Sequence, residues 1–273
     1  MARRKRAAAD DQPIGVGLTA KQMKRKKPLG SSYLMNVDPL TDNQKRLFDS
    51  YQEGKQIVAY GCAGTGKTFI TLYNALKDVL NETTPYEHIY LVRSLVATRE
   101  IGFLPGDHED KADIYQIPYK NMVKYMFQMP SDADFEMLYG NLKSQESIKF
   151  WSTSFLRGTT LDNSIVIVDE FQNLNFHELD SIITRVGENT RICFCGDATQ
   201  TDLQKTNEKN GIHDFMRILR SMNSFDIIEF GLDDIVRSRL CKNILLLKWK
   251  QVLMQIFDDY DLGKSYHTHT QSL

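Results

Sequence analysis

The sequence predicts an α/β fold built on a mainly parallel, doubly wound sheet. Three observations carry that expectation. Short apolar runs alternate along the chain with segments of helical spacing. A glycine-rich octapeptide, Gly61-Cys62-Ala63-Gly64-Thr65-Gly66-Lys67-Thr68, joins the first run to the helical segment after it. The run Ser164-Ile165-Val166-Ile167-Val168 is unbroken, as a strand buried on both faces requires.

In chain order, Thr41 to Glu53 has helical spacing and opens on Thr41-x-x-Gln44, a capping-box pattern. Gln56-Ile57-Val58-Ala59-Tyr60 is the first strand, and a helix begins at Lys67. Ile89-Tyr90-Leu91-Val92 is the second strand. The loop Gly102-Phe103-Leu104-Pro105-Gly106-Asp107 then leads to a helical region from about Tyr115 to Tyr139. Ile148-Lys149-Phe150-Trp151 is the third strand and Ser164 to Val168 the fourth. Leu174 to Val186 is helical, and Arg191 to Cys195 is the fifth strand. A helix over 211–222, a strand from Asp226 to Phe230 and a terminal helix from Leu240 to Phe257 complete the pattern. Residues 1–37 read as a basic flexible arm, 38–257 as one domain and 258–273 as a flexible tail.

Composition excludes some classes. The chain is 41% hydrophobic and 25% charged, as globular proteins are. No run approaches the roughly 20 apolar residues of a membrane span, and no apolar stretch follows the basic start, so neither a membrane protein nor a secretory signal is expected. Cys62, Cys193, Cys195 and Cys241 lack zinc-site spacing, which leaves reduced thiols and a cytoplasmic location as the expectation. The net charge of −1 conceals an asymmetry: residues 1–29 carry nine Lys or Arg against two Asp, a net of +7, and the remainder carries −8. Such an arm can grip nucleic acid phosphates or fold back on the acidic body.

The octapeptide fits G-x-x-x-x-G-K-[ST] at every fixed position. Gly61, Gly64 and Gly66 allow a tight turn whose amides face a phosphate, with Cys62, Ala63 and Thr65 completing the loop. Lys67 supplies a positive charge to the β- and γ-phosphates, and the Thr68 hydroxyl is suited to Mg²⁺. Asp169 ends the apolar fourth strand, where a metal-binding carboxylate must stand, and Glu170 beside it is the natural base for an attacking water. Gly196-Asp197-Ala198-Thr199-Gln200 follows the fifth strand, and the Gln200 amide suits the γ-phosphate or the water. Gln44 caps the first helix or reads an adenine edge with its amide. ATP and Mg²⁺ are therefore the expected ligands.

Several segments together resemble the PhoH family: Gly61–Thr68, Gly102-Phe103-Leu104-Pro105-Gly106-Asp107, Arg157-Gly158-x-Thr160-Leu161, Asp169-Glu170-x-Gln172-Asn173, Thr184-Arg185-x-Gly187, Gly196-Asp197-x-Thr199-Gln200-x-Asp202-Leu203 and Asp234-Ile235-Val236-Arg237. The resemblance covers roughly residues 38–250. It implies a RecA-like P-loop NTPase domain, similar to the first lobe of a superfamily-1 helicase. It also implies an ATPase linked to RNA metabolism that assembles as a ring, a hexamer being one form. By the same resemblance Gln44 faces adenine, and Arg237 acts as a finger on the γ-phosphate of a neighbouring subunit. Ser238 stands where the family usually has His, a following Pro is missing, and Phe171 replaces a small residue.

These readings converge on a Mg²⁺-dependent, single-domain ATPase coupled to single-stranded RNA or DNA. The alternative is an ATP-switched scaffold for protein partners, in phosphate-starvation or phage physiology.

Overall fold

The computed structural model describes residues 33–93, 108–153, 158–197 and 206–247. Residues 1–32 of the expected basic arm, the Gly102–Asp107 loop, Arg157, Gln200, Asp202-Leu203, the expected terminal helix beyond residue 247 and the 258–273 tail lie outside the described residues.

Six strands form one sheet: β1 (Gln56–Gly61), β2 (His88–Arg93), β3 (Ile148–Ser152), β4 (Ser164–Asp169), β5 (Arg191–Gly196) and β6 (Phe225–Phe230). Their order is β3-β2-β4-β5-β1-β6, and every pairing is parallel. The helices are α1 (Asp42–Gln52), α2 (Lys67–Val79), α3 (His108–Met126), α4 (Asp132–Ser144), α5 (Phe176–Ile183) and α6 (Thr206–Arg220), with residues 239–247 helical as well. Among the described residues no helix is long and apolar enough to cross a membrane.

The expected Tyr115–Tyr139 helix is two helices. α3 ends at Met126, and Ser131 caps α4 by accepting from the Asp134 N–H at 3.2 Å. Pro130 sits between them, where its ring and missing N–H cannot extend a helix. The expected helix from Leu174 is also shorter, because Asn175 and Glu178 form a reciprocal capping box that starts α5 at Phe176.

Side-chain alternation divides the core. Ile165 and Ile167 of β4, with Cys193 and Cys195 of β5, join the layer that includes Leu47 of α1, Leu72 and Leu76 of α2, and Phe135 of α4. Val166 and Val168 face the other way, with Ile192 and Phe194, onto Leu179 of α5 and Phe215 and Leu219 of α6. All six β4 residues are buried, which is why that strand reads as continuously apolar. Burial in this apolar layer pushes the Cys193 thiol up to about 12, and all four cysteines are free.

Strand order positions the site. β5 lies between β1, which leads into the glycine-rich loop, and β4, which carries Asp169. The carboxyl ends of these three strands therefore open onto one crevice, where ligands of parallel α/β sheets bind.

Candidate functional site

The glycine-rich turn is built around backbone that other residues cannot share. Gly61 has φ +116°, and a Cβ there would stand 2.2 Å from the Phe230 carbonyl oxygen of the neighbouring β6. Gly66, the N-cap of α2, has φ +83°, in the left-handed region. The Cys62 N–H bonds the Phe230 carbonyl at 2.8 Å, fixing the loop to the sheet.

Lys67 folds along this loop. Its ammonium donates to the Gly61 carbonyl (3.0 Å), the Cys62 carbonyl (2.6 Å) and Thr65 Oγ1 (3.2 Å). Burial lowers its pKa, opposed by the nearby Asp197 carboxylate. A desolvated cation at the amino end of α2 is an anion-binding arrangement.

Thr68 Oγ1 donates to Asp169 Oδ1 at 2.7 Å, and the Tyr119 hydroxyl donates to Asp169 Oδ2 at 2.6 Å. The β2–β4 register places Arg93 beside Asp169. Burial, then the adjacent Asp169 carboxylate, push the Tyr119 phenol well above its ordinary pKa, so it stays a donor.

Glu170 leaves β4 with φ 52° and ψ 41°, in the left-handed region that a non-glycine residue seldom enters. The Gln172 amide donates to Glu170 Oε2 at 2.6 Å, and its Oε1 accepts from the Asp197 N–H at 3.0 Å. Buried Gln172 thus joins the ends of β4 and β5. A Cβ at Gly196 would stand 2.3 Å from Gln172 Oε1 and 2.8 Å from Phe171 Cδ1. Phe171 itself packs edge-on against Phe194 behind the site, at 5.9 Å between ring centroids.

Gln44 serves the helix start in part as expected. Thr41 Oγ1 accepts from the Gln44 N–H at 3.3 Å, but Gln44 Oε1 accepts from Leu40 N–H rather than from Thr41. Gln44 Nε2 donates to the Thr65 carbonyl at 2.9 Å, tying α1 to the glycine-rich loop. A cleft of about 420 Å³ opens beside this contact, lined by Leu40, Gln44, Phe69, Met122, Tyr125 and Arg237 among others.

Arg237 lies over the loop of its own chain. The Val236 N–H bonds the Gly64 carbonyl at 3.2 Å, and a Cβ at Gly64 would stand 2.8 Å from Arg237 Cγ. Arg237 therefore borders the glycine-rich loop. Asp234 secures the turn before it, accepting from Asn43 Nδ2 (2.8 Å) and from the Gly231 N–H (2.9 Å). Ser238, in place of the usual His, caps residues 239–247, its Oγ 3.4 Å from the Cys241 N–H.

Lys67, Thr68, Asp169 and Glu170 thus meet at one crevice, with Gln44 and Arg237 at its rim. Arg93, Tyr119, Gln172 and Asp197 have no site role in the sequence reading. Gln172 is legible as part of Asp169-Glu170-x-Gln172-Asn173; Tyr119, 50 residues from Asp169, carries no local signal.

Fold and site together define a P-loop NTPase domain of the RecA-like kind. The chain belongs to the PhoH-like protein family, whose model matches residues 36–248. It is similar to a PhoH-like protein of Mycobacterium leprae, 31% identical over 210 residues, covering 77% of this chain and 57% of that protein. It is likewise 32% identical over 196 residues to Protein PhoH of Escherichia coli K12, covering 71% of this chain and 53% of that protein. The chain thus spans little more than half the length of these relatives. Among solved structures, similarity extends to the DUF1998 helicase MrfA bound to DNA and AMPPNP (TM-score 0.43, 13% identity, 80% of this chain and 30% of that one). It extends also to the large terminase of a thermophilic bacteriophage (TM-score 0.44, 11% identity, 74% of this chain and 48% of that one).

The family segments at Thr160-Leu161 and Thr184-Arg185-x-Gly187 form a brace at the opposite end of the sheet. Leu161 N–H bonds the Arg185 carbonyl at 2.8 Å and Gly187 N–H returns to the Leu161 carbonyl at 2.9 Å. A Cβ at Gly187 would meet the Asp162 carboxylate, so a larger residue there would have to displace that side chain, which accepts from the Glu188 N–H at 2.8 Å.

Proposed function

We propose that this domain binds ATP with Mg²⁺ and hydrolyses it, coupling the cycle to single-stranded RNA or DNA. The observation that carries the reading is the contact of Thr68 with Asp169 at the carboxyl ends of β1 and β4, beside Lys67 and Glu170. Two hard oxygen donors 2.7 Å apart fit Mg²⁺, which favours oxygen ligands and shares them with substrate phosphates. No cluster of three or more His, Cys, Asp or Glu gathers as ligands among the described residues, so these two side chains and the phosphates themselves are the donor set in this reading. When bound, the ion would neutralise charge on the β- and γ-oxygens.

The protein's own groups do the rest. The loop amides and the α2 amino end bind the phosphates, and Lys67 turns from the loop carbonyls to a phosphate oxygen. Glu170, oriented by Gln172, accepts a proton from water as its oxygen attacks the γ-phosphorus and the bond from that phosphorus to the β–γ bridging oxygen breaks, ADP leaving with that oxygen. Gln200, which follows β5 in the chain, reports on the γ-phosphate. Gln44 meets the adenine edge from the cleft wall, exchanging its Leu40 or Thr65 partner or using its remaining hydrogen-bonding capacity. Arg237, in a ring of this chain, meets the developing phosphate charge of a neighbouring subunit's site, where such an arginine is worth ~10³–10⁵ in rate.

Nucleic acid coupling rests on the charge asymmetry, +7 over residues 1–29 against an acidic body. Phosphate release with and without poly(U), at two salt concentrations, tests it. Stimulation that weakens at high salt is expected. ATP turnover unaffected by poly(U), with no poly(U) binding, would instead favour the ATP-switched protein scaffold.

A further inference from the structure

Asp169 is held at both oxygens, and the second anchor comes from an element that the nucleotide chemistry does not by itself explain. Tyr119 is 3% exposed, and its buried hydroxyl points at Asp169 Oδ2, 2.6 Å away. A hydroxyl donating to a carboxylate at that length is a charge-assisted bond, stronger and more directional than a neutral one. With Thr68 on Oδ1 and Tyr119 on Oδ2, the plane of the carboxylate is fixed rather than free to rotate. Arg93, next to Asp169 in strand register, lies on the same side and places its guanidinium over the Tyr115 ring, 6.0 Å away, one turn earlier in α3.

The helix that carries Tyr119 also reaches the cleft. Pro118, Asn121, Met122 and Tyr125 of α3 line the cavity beside Gln44 and the glycine-rich loop. Pro118 removes one N–H from the helix ladder immediately before Tyr119, which lowers the cost of a local adjustment there. One element therefore touches the cavity with one set of side chains and the carboxylate with another.

We propose that Tyr119 is a positioning residue for Asp169, through which α3 is coupled to the metal–nucleotide state of the crevice. The proposal rests on the reading that Thr68 and Asp169 serve Mg²⁺. The Tyr119 bond holds the carboxylate in the plane that turns Oδ1 toward the ion, so bond and ion support each other, and an ion that fixes Asp169 in that plane also steadies Tyr119 and α3. Packing alone is the rival explanation, since Tyr119 also lies against Phe150 at 5.6 Å between ring centroids.

Tyr119→Phe separates the two, because it keeps the ring and deletes the hydroxyl. Affinity for a fluorescent ATP analogue is measured in Mg²⁺ and in EDTA, with hydrogen exchange of α3 followed in the same conditions. The expected result is a loss of about fivefold or more in the Mg²⁺-dependent gain in affinity, the scale of one charge-assisted bond. Affinity in EDTA stays within about twofold, since the phosphate contacts of the loop remain. In the wild type, α3 exchange should change on adding Mg²⁺ with nucleotide, and Tyr119→Phe should lose that change. An unchanged or larger Mg²⁺ gain in the variant, or wild-type α3 exchange indifferent to Mg²⁺, overturns the coupling while leaving the ATP site intact. Wild-type protein that binds no nucleotide in either condition overturns the ATP reading and the coupling with it.

Discussion

Thr68 and Asp169, 101 residues apart in the chain, meet at 2.7 Å through the threonine hydroxyl and one carboxylate oxygen. Their meeting depends on β5 lying between β1 and β4, so that α2 packs across β5 and brings its first turn to the end of β4. The pair turns two sequence patterns into one site.

Lys67 is the group whose loss should be felt by ligand more than by fold. Lys67→Ala removes the charge that the proposed reading turns toward the phosphates. A thermal-shift titration with Mg²⁺ and ATP should raise the wild-type midpoint, since ligand at a hundred times its Kd stabilises by about 2.7 kcal/mol. The variant's midpoint should not move with nucleotide.

Gly61 tests the loop geometry independently of chemistry. Alanine there would set its Cβ 2.2 Å from the Phe230 carbonyl oxygen and hold a φ of +116°. Both must relax by displacing β6 or the loop. Gly61→Ala should lose roughly 1–3 kcal/mol in denaturant unfolding, the range for strained backbone of this kind, together with nucleotide affinity.

Mixing two variants distinguishes service of Arg237 in cis from service across a subunit interface. Lys67→Ala and Arg237→Ala proteins, each expected to be deficient in phosphate release, are mixed. An arginine that acts in its own chain gives no recovery on mixing. Recovery would show that it completes a neighbour's site. Light scattering over a concentration series, with ATP present, reports whether any ring forms.

Acid stability should depend on Asp226. Burial would raise its pKa, but hydrogen bonds from Arg46 and Ser50 outweigh that and hold it below the usual carboxylate value. The unfolded group titrates near 3.9. A depressed folded value means a stabilising contribution that is fully present above that pH and is lost as pH falls through the folded value. Asp226→Asn should lower the unfolding midpoint at neutral pH and flatten its decline below about pH 4. Equal slopes for both proteins would contradict the assignment.

The strands are legible in the sequence because β4 and β5 are buried on both faces and so must be continuously apolar. Asp169 and Glu170 are legible because a carboxylate pair stands where that apolar run stops. What stays hidden is long-range. Tyr119 looks like any aromatic core residue until α3 folds against β4. The break after Met126 is masked because apolar spacing continues through Met129 into α4, and only Pro130 interrupts it. Arg237 is marked by resemblance alone, whereas its placement follows from the Val236–Gly64 backbone bond.

The most direct test of hydrolysis at this site is phosphate release by Glu170→Gln, measured beside ATP affinity. The amide keeps the size of the side chain and a partner for Gln172 but cannot accept a proton from water. ATP should bind with affinity close to the wild type, and turnover should fall by at least ~10²-fold, the scale of a lost general base. Turnover equal to the wild type would contradict the assignment of Glu170, and with it the account of how Asp169-Glu170 makes the phosphate loop hydrolytic.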